Sequence, residues 1–177
     1  MLKYEIDQAH THLGFTAKHL AVSTVRGLFN KFEGEFESPD DDYTKARGEV
    51  KIEVTSLESR SDQRDTHLRS ADFFDAEKYP YLTFKLTGIE PVDEENFRVK
   101  GELTIKDVTK AVAFELEVSG FGPDAYGGTR CGFSATTQIN RHDFHVDFNG
   151  PIPGVPGGVA VSENVTITIE IEGVLQA

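Results

Sequence analysis

The sequence predicts an all-β fold, an antiparallel β-barrel or sandwich of about eight strands with one short helical segment near residues 61–75. Three observations support this prediction. Apolar and polar residues alternate with a period of two along most of the 177-residue chain, which is typical of half-buried strands. Clusters of turn-forming residues separate these stretches. The connections are too short for the helices that parallel strands require, so the sheet is antiparallel and is either closed as a barrel or split as a sandwich.

Eight apolar faces define the predicted strands in order along the chain. Each set occupies alternate positions, with polar residues between its members: Leu13, Phe15 and Ala17; Phe32, Gly34 and Phe36; Gly48, Val50, Ile52 and Val54; Leu82, Phe84 and Leu86; Phe97, Val99, Gly101, Leu103 and Ile105; Val112, Phe114, Leu116 and Val118; Cys131, Phe133, Ala135, Thr137 and Ile139; and Val165, Ile167, Ile169 and Ile171.

The connections include four predicted turns, one helix and one loop rich in proline and glycine. The turns are 38–42, 90–96, 120–124 and Lys106-Asp107. Residues 59–75 lack alternation, so we predict a short helix there, with Ser61 as its N-cap and the Tyr79-Pro80 pair as its limit. Residues 149–158 read NGPIPGVPGG, a composition that favours a loop, which we interpret as a rim or lid over one barrel end.

Composition restricts the classes of partner and compartment. The formal charge is −12, from 30 acidic and 18 basic residues, so nucleic acid and anionic membrane surfaces would be repelled. No apolar run reaches transmembrane length, and stable membrane insertion is not expected. Cys131 is the single cysteine, so no intrachain disulfide can form. We expect one domain over residues 1–177 and a cytoplasmic protein, with the periplasm as the alternative.

The barrel interior has two possible states on the pattern alone. An eight-stranded barrel can be filled by its side chains or can hold one small ligand. Small inward residues such as Gly34, Gly48 and Gly101 stand beside large ones such as Phe84 and Phe114. This mixture fits close packing as well as the wall of a tunnel, and both readings stay open.

Three polar clusters are candidates for chemistry, and each also has a structural reading. His10 and His12 have strand spacing that would place both rings on one side, but a third metal ligand is missing. Arg64, Asp65 and His67 offer a cation, a carboxylate and a base, although Arg64 and Asp65 could instead fix the helix through a salt bridge. His142 and His145 would point to opposite sides of an extended segment. We favour the structural readings and predict neither a metal site nor catalytic residues; a metal- or His-dependent enzyme acting on a lipid-like substrate is the alternative.

The order of motifs resembles the YceI-like family over nearly the whole chain. The resemblance is carried by four blocks in sequence: residues 6–15 (IDQAHTHLGF) with His19 and 23–29 (STVRGLF); 64–75 (RDTHLRSADFFD) with Tyr79, Pro80 and Phe84; 101–106 (GELTIK); and 139–144 (INRHDF). One departure is His145, since a glycine often follows the phenylalanine of the last block in that family. This departure predicts a bulkier or more polar rim.

The resemblance implies a lipocalin-like barrel with a hydrophobic tunnel for a polyisoprenoid, isoprenoid quinone or fatty-acid derivative, with no cofactor and with homodimers in some members. It favours the tunnel over the filled core and implies a carrier, storage or sequestering protein rather than an enzyme. The predicted tunnel-lining residues are Phe15, Ala17, Phe32, Phe36, Val50, Ile52, Phe73, Phe74, Phe84, Leu103, Phe114, Phe133, Ile167 and Ile169. The candidate head-group ligands are His19, Arg64, His67 and Arg141.

Overall fold

The structure, a computed structural model, describes residues 1–20, 22–39, 42–150 and 160–176. In this part of the chain eleven β-strands and one α-helix follow one another. They are β1 (Leu2–Ile6), β2 (His12–His19), β3 (Ser23–Phe29), β4 (Phe32–Ser38), β5 (Arg47–Glu53), β6 (Leu57–Glu58), α1 (Asp62–Arg69), β7 (Tyr81–Pro91), β8 (Asn96–Ile105), β9 (Val108–Pro123), β10 (Thr129–Asn140) and β11 (Asn164–Leu175).

The strands close into an antiparallel barrel eight strands wide. Neighbours follow the order β1-β4-β5-β7-β8-β9-β10-β11, and β11 pairs with β1 to close the ring. The remaining strands lengthen this wall, because β2 pairs with β11 beside β1, β3 pairs with β2, and β6 pairs with β3. The closed barrel confirms the predicted fold.

Breaks in three wall strands explain why eleven segments make a barrel eight strands wide. A 3-10 helix at Gln8–His10 separates β1 from β2, another at Val54–Ser56 separates β5 from β6, and residues 30–31 separate β3 from β4. Asp7 stabilises the first break, since its carboxylate accepts a hydrogen bond from the Ala9 amide at 3.0 Å. These breaks bend the wall without opening it, because β1 and β2 share one edge of β11.

The alternation locates eight of the strands correctly and misses three. The short segments β1, β3 and β6 were not among the predicted apolar sets. The predicted turn at 120–124 is wrong, because β9 continues to Pro123 and the chain reverses over residues 124–128. Gly120 pairs instead with Gly132 beside a β-bulge, because the next pair is Val118 with Phe133; its φ of 151° suits glycine.

The helical segment forms as predicted but is shorter. Ser61 is the N-cap, and its hydroxyl accepts a hydrogen bond from the Arg64 amide at 3.3 Å. The helix α1 ends at Arg69, and turns continue to Tyr79. The register places α1, which precedes β7, at the barrel end where β2 ends and β3 begins and where β8 turns into β9 at 106–107, called here the α1 end.

The buried core lies mainly at the α1 end. Phe144, Leu57 and Val54 are its most completely buried large side chains, and Phe73 packs in the same cluster. No helix in the described ranges is long and apolar enough to cross a membrane.

Candidate functional site: an apolar barrel interior

The barrel encloses a cavity of about 230 Å³ at the α1 end. Its wall combines side chains of the strands with residues of the helical segment, such as Leu68 and Phe74. Arg141 is the only charged residue among the described residues that line it. A hydrocarbon placed here would therefore exchange water for apolar contacts on almost every side.

A second cavity of about 140 Å³ lies farther toward the opposite barrel end. The two cavities share wall residues, namely Val50, Phe84, Val99, Leu116 and Ile171. They are therefore adjacent along the barrel. Their combined volume falls near the lower end of the ~300–1,000 Å³ typical of small-molecule sites. This free space argues against the filled-core reading.

The structure places thirteen of the fourteen predicted tunnel residues on these walls. Eleven of them line the cavity at the α1 end or both cavities: Phe15, Ala17, Val50, Ile52, Phe73, Phe74, Phe84, Leu103, Phe114, Ile167 and Ile169. Phe36 and Phe133 face the smaller cavity. Phe32 is buried but lines neither cavity. Contact of these side chains with a ligand stays a prediction.

Sequence reasoning missed part of the wall for two different reasons. Val99, Leu116 and Ile171 line both cavities and lie on apolar faces that the alternation itself revealed, so the same signal identifies them. Phe144 and Val146 also line the larger cavity. They belong to a 3-10 helix and the chain after it, where no periodic pattern indicates which side chains point inward.

Arg141, a predicted head-group ligand, is buried and hydrogen-bonded to backbone carbonyl oxygens. Only 4% of the residue is exposed. Its guanidinium donates hydrogen bonds to the carbonyl oxygens of Val146 at 2.6 Å, Phe148 at 2.8 Å and Ser162 at 2.9 Å, and a longer one to Val161 at 3.5 Å. Burial lowers the pKa of Arg141 from its ordinary value. The side chain ties the segment after β10 to the segment before β11.

Arg64 also has its hydrogen bonds within the fold. Its Nε donates to the Ser59 hydroxyl at 2.8 Å, and its Nη2 donates to the Ser59 carbonyl oxygen. The buried carboxylate of Asp65 accepts a hydrogen bond from the same hydroxyl. The helix is thus fixed by hydrogen bonds through Ser59. A salt bridge from Arg64 or Asp65 to the barrel, the predicted structural role, is not among the ion pairs of the described residues.

His19 and His67 are the more accessible head-group candidates, and both lie at the α1 end. His19 is exposed at the end of β2 and forms a β-bridge with Val161. His67 is exposed on α1, where its Nε2 lies 2.8 Å from Asp72 Oδ2 and its ring packs edge-on against Phe73 and Phe148. Because His67 pairs with Asp72 rather than Asp65, the predicted cluster does not form a base–carboxylate pair.

The two N-terminal histidines do not act as the pair that their spacing suggested. His10 lies in the 3-10 helix, and its Nδ1 is 2.8 Å from Asp7 Oδ2. Ligand atoms of Asp7, His10 and Glu172 lie within 4.8 Å of one another. Arg130 already holds this group together, since its Nη1 is 2.6 Å from Asp7 and 2.7 Å from Glu172.

Hydrogen bonds and charge shift the pKa values of Asp7 and His10 in opposite directions. The His10 and Arg130 side chains bonded to it lower the pKa of Asp7 to about 2. The hydrogen bond between the His10 ring and the accepting Asp7 carboxylate, helped by the charge of Glu172, raises the pKa of His10. Both shifts favour the charged forms, which is the behaviour of an ion-pair network that joins the chain start to β10 and β11.

The remaining candidates have structural partners. His142 Nδ1 lies 2.8 Å from Asp147, and His145 Nδ1 lies 3.2 Å from Asp107. Cys131 is buried, and desolvation raises the pKa of its thiol to about 11. Most of the rim or lid predicted at 149–158 lies outside the described residues.

Comparison with known proteins places the chain in a family with this architecture. The model of the YceI-like domain matches residues 4–173. A UPF0312 protein of Vibrio cholerae is 36% identical over 173 residues, which cover 97% of this chain and 86% of the relative.

Two solved structures share the barrel. BcnA of Burkholderia cenocepacia superposes with a TM-score of 0.81 and 23% identity, over 94% of this chain and 98% of BcnA. A polyisoprenoid-binding domain from Saccharophagus degradans, implicated in plant cell wall breakdown, superposes with a TM-score of 0.73 and 15% identity, over 99% of this chain and all of that domain. The closed barrel, the apolar interior and these matches agree: this chain belongs to the YceI-like family.

Proposed function

We propose that this barrel binds the chain of a polyisoprenoid, isoprenoid quinone or fatty-acid type lipid in its interior, as a carrier, storage or sequestering protein. The observation that carries the proposal is the pair of adjacent cavities of about 230 and 140 Å³, both with nearly apolar walls. The polyisoprenoid-binding domain of Saccharophagus degradans, which has the same fold, adds support for this ligand class.

The energetics favour a long hydrocarbon over a small polar molecule. Each methylene group removed from water contributes about 0.8 kcal/mol, and ordering the chain and losing its translational freedom offset part of that gain. A chain of about a dozen carbons therefore reaches micromolar affinity. Polar ligands would lose their hydration in these walls without gaining hydrogen bonds.

The head group of such a ligand would lie at the α1 end. His19 and His67 are exposed there, whereas Arg141 and Arg64 already donate hydrogen bonds to the backbone or to Ser59. We therefore assign the chain to the cavities and the head group to the surface near the two histidines. The enzyme hypothesis gains no support from the described residues, because His67 and Asp65 bind different partners.

Binding of parinaric acid, a fluorescent polyene fatty acid, tests the proposal in a pair of matched variants. Phe84→Asp places a carboxylate between the cavities, and Lys85→Asp places the same group on the exposed side of the same strand. We expect Phe84→Asp to weaken binding at least 100-fold and Lys85→Asp to leave it near the wild-type value, because only the first variant must desolvate a charge.

A second variant separates loss of binding from loss of folding. Ala135 lines the larger cavity, and Ala135→Phe fills that space with an apolar ring. We expect it to remain folded and to lose binding. Unchanged binding by folded Phe84→Asp and Ala135→Phe would show that the ligand lies elsewhere and would refute the proposal.

A further inference from the structure

The barrel interior contains two pairs in which an aromatic ring covers a glycine of the neighbouring strand. A β-carbon built on Gly101 would fall well inside 3.0 Å of the Phe84 ring, and one on Gly27 would do the same to the Phe15 ring. The rings thus occupy the space that an ordinary side chain would fill. They lie against the wall and leave the centre of the barrel open.

The Phe84 ring lies where the two cavities meet. It lines both of them and packs edge-on against Phe114, with ring centroids 5.4 Å apart. In the β7–β8 pairing, Phe84 is opposite Leu103, so its ring crosses diagonally to Gly101. Phe84 has the largest of the five side chains that line both cavities, so the direction of its ring affects the width of the junction more than the others do.

The Phe15 ring has the same relation to its glycine but a different place in the barrel. Gly27 is directly opposite Phe15 in the β2–β3 pairing. Phe15 lines only the larger cavity and packs near Phe29 and Phe74 at the α1 end. The Gly27–Phe15 pair is consequently a natural control, since it shares the chemistry of the first pair without lying at the junction.

We propose that Gly101 sets the chain length that the barrel accepts, by holding the Phe84 ring against the wall so that one hydrocarbon can extend from the larger cavity into the smaller one. This inference rests on the proposed function. A β-carbon at residue 101 would force the ring away from the wall, and the direction open to it is the lumen. The passage would narrow, and a bound chain would end in the larger cavity.

The experiment measures dissociation constants for saturated fatty acids from octanoic to eicosanoic acid. In the wild-type protein we expect the constant to fall by about fourfold with each added methylene until both cavities are full. In Gly101→Ala we expect the same dissociation constants as in wild type for short acids. The constant should stop falling at a shorter chain length, which we call an early plateau. Three methylenes excluded from the smaller cavity weaken binding of a long acid by about 60-fold.

Two further variants keep the test decisive if Gly101→Ala distorts its strand, which is a concern because the added β-carbon would also approach the Lys85 carbonyl oxygen. Phe84→Leu combined with Gly101→Ala removes the ring and should restore the wild-type plateau. Phe84→Trp retains Gly101 but has a ring too large for the recess, so it should plateau early. As the chain contains no other tryptophan, its fluorescence also reports chains that reach the junction.

The outcomes distinguish this inference from the proposed function. An early plateau in Gly101→Ala and Phe84→Trp, its reversal in the double variant, and a Gly27→Ala variant that weakens all chain lengths alike would support the inference. Equal plateaus in wild type, Gly101→Ala and Phe84→Trp, or an early plateau that the double variant does not reverse, would overturn it. A wild-type protein that binds neither these acids nor an isoprenoid quinone would overturn the proposed function instead.

Discussion

Replacement of Arg141 by methionine tests whether this buried cation holds the fold together. Methionine keeps an unbranched apolar stem of similar length but cannot donate hydrogen bonds. The carbonyl oxygens of Val146, Phe148 and Ser162 would lose donors that now lie 2.6–2.9 Å away. A link between the segment after β10 and the segment before β11 would be lost with them.

The expected magnitude follows from those three short bonds. A hydrogen bond from a charged donor contributes about 1.5–3 kcal/mol, so the gross loss is about 4–9 kcal/mol. The variant recovers part of the cost of burying a charge, and water can reach some of the freed carbonyl oxygens. We expect a net loss of about 4 kcal/mol in the free energy of unfolding, which lowers Tm by about 8–16 °C for a chain of this size.

Equilibrium unfolding in urea with linear extrapolation measures this loss. Arg64→Met is the matched control, because Arg64 is half-buried and, within the described part of the chain, its side chain donates hydrogen bonds to Ser59 alone. We expect it to cost about 1–2 kcal/mol. The contrary result would be a free energy of unfolding for Arg141→Met within about 1 kcal/mol of the wild-type value, together with a ligand affinity at least tenfold lower. Arg141 would then be a ligand contact, and the structural assignment would be wrong.

Three further predictions concern positions away from the cavities. His145 adopts φ 58° and ψ 27°, a left-handed conformation that suits glycine, so His145→Gly should raise the free energy of unfolding by about 0.5–1 kcal/mol. The control His142→Gly, in the preceding 3-10 helix, should lower it. A His145→Gly variant that is less stable in urea than His142→Gly would contradict the assigned backbone. Asp7 has a folded-state pKa of about 2 against an ordinary 3.8, so its carboxylate stabilises the fold above about pH 4 and this contribution is lost as pH falls through about 2. Asp7→Asn should therefore be less stable than wild type by about 1 kcal/mol at neutral pH, a value reduced for partial exposure, with the gap closing in acid; a constant gap from neutral pH to pH 2 would refute the ion-pair account. Cys131 is buried and has a pKa of about 11 instead of 9.0. Its alkylation by iodoacetamide at pH 8 should therefore be at least 100-fold slower in the folded than in the unfolded protein. Comparable alkylation rates would show that the β10–β11 region opens.

The sequence predicts most of the barrel because each long strand has one face in the interior and one in water. In β8, for example, Val99, Leu103 and Ile105 occupy alternate positions and are buried, as the alternation predicts. It cannot reveal β6, which has two residues, because a period of two needs several residues to be visible. The turn at 120–124 was misplaced because Gly120 and Pro123 suggest a reversal, whereas they lie at a bulge and at a strand end.

The candidate site is predictable in its apolar part and less so in its polar part. Phe84 and Phe114 were identified as interior residues by their position in the alternation, and they line the cavity. Arg141 was expected to be a head-group ligand, since an arginine near an apolar site suggests an anion. Its actual partners are backbone carbonyl oxygens from residues up to 21 positions away, and such contacts between distant irregular segments leave no periodic signal. The partnership of Gly101 with the Phe84 ring depends on a diagonal across two strands, which requires the register.

The most direct test of the central claim is native mass spectrometry of delipidated protein after incubation with a long-chain isoprenoid quinone, with Ala135→Phe measured beside the wild type. The account predicts one quinone per wild-type barrel and none in the variant, because the added ring occupies the cavity of about 230 Å³. Quinone bound equally to both proteins, or to neither at concentrations where fatty acids also fail to bind, would contradict a ligand-binding interior.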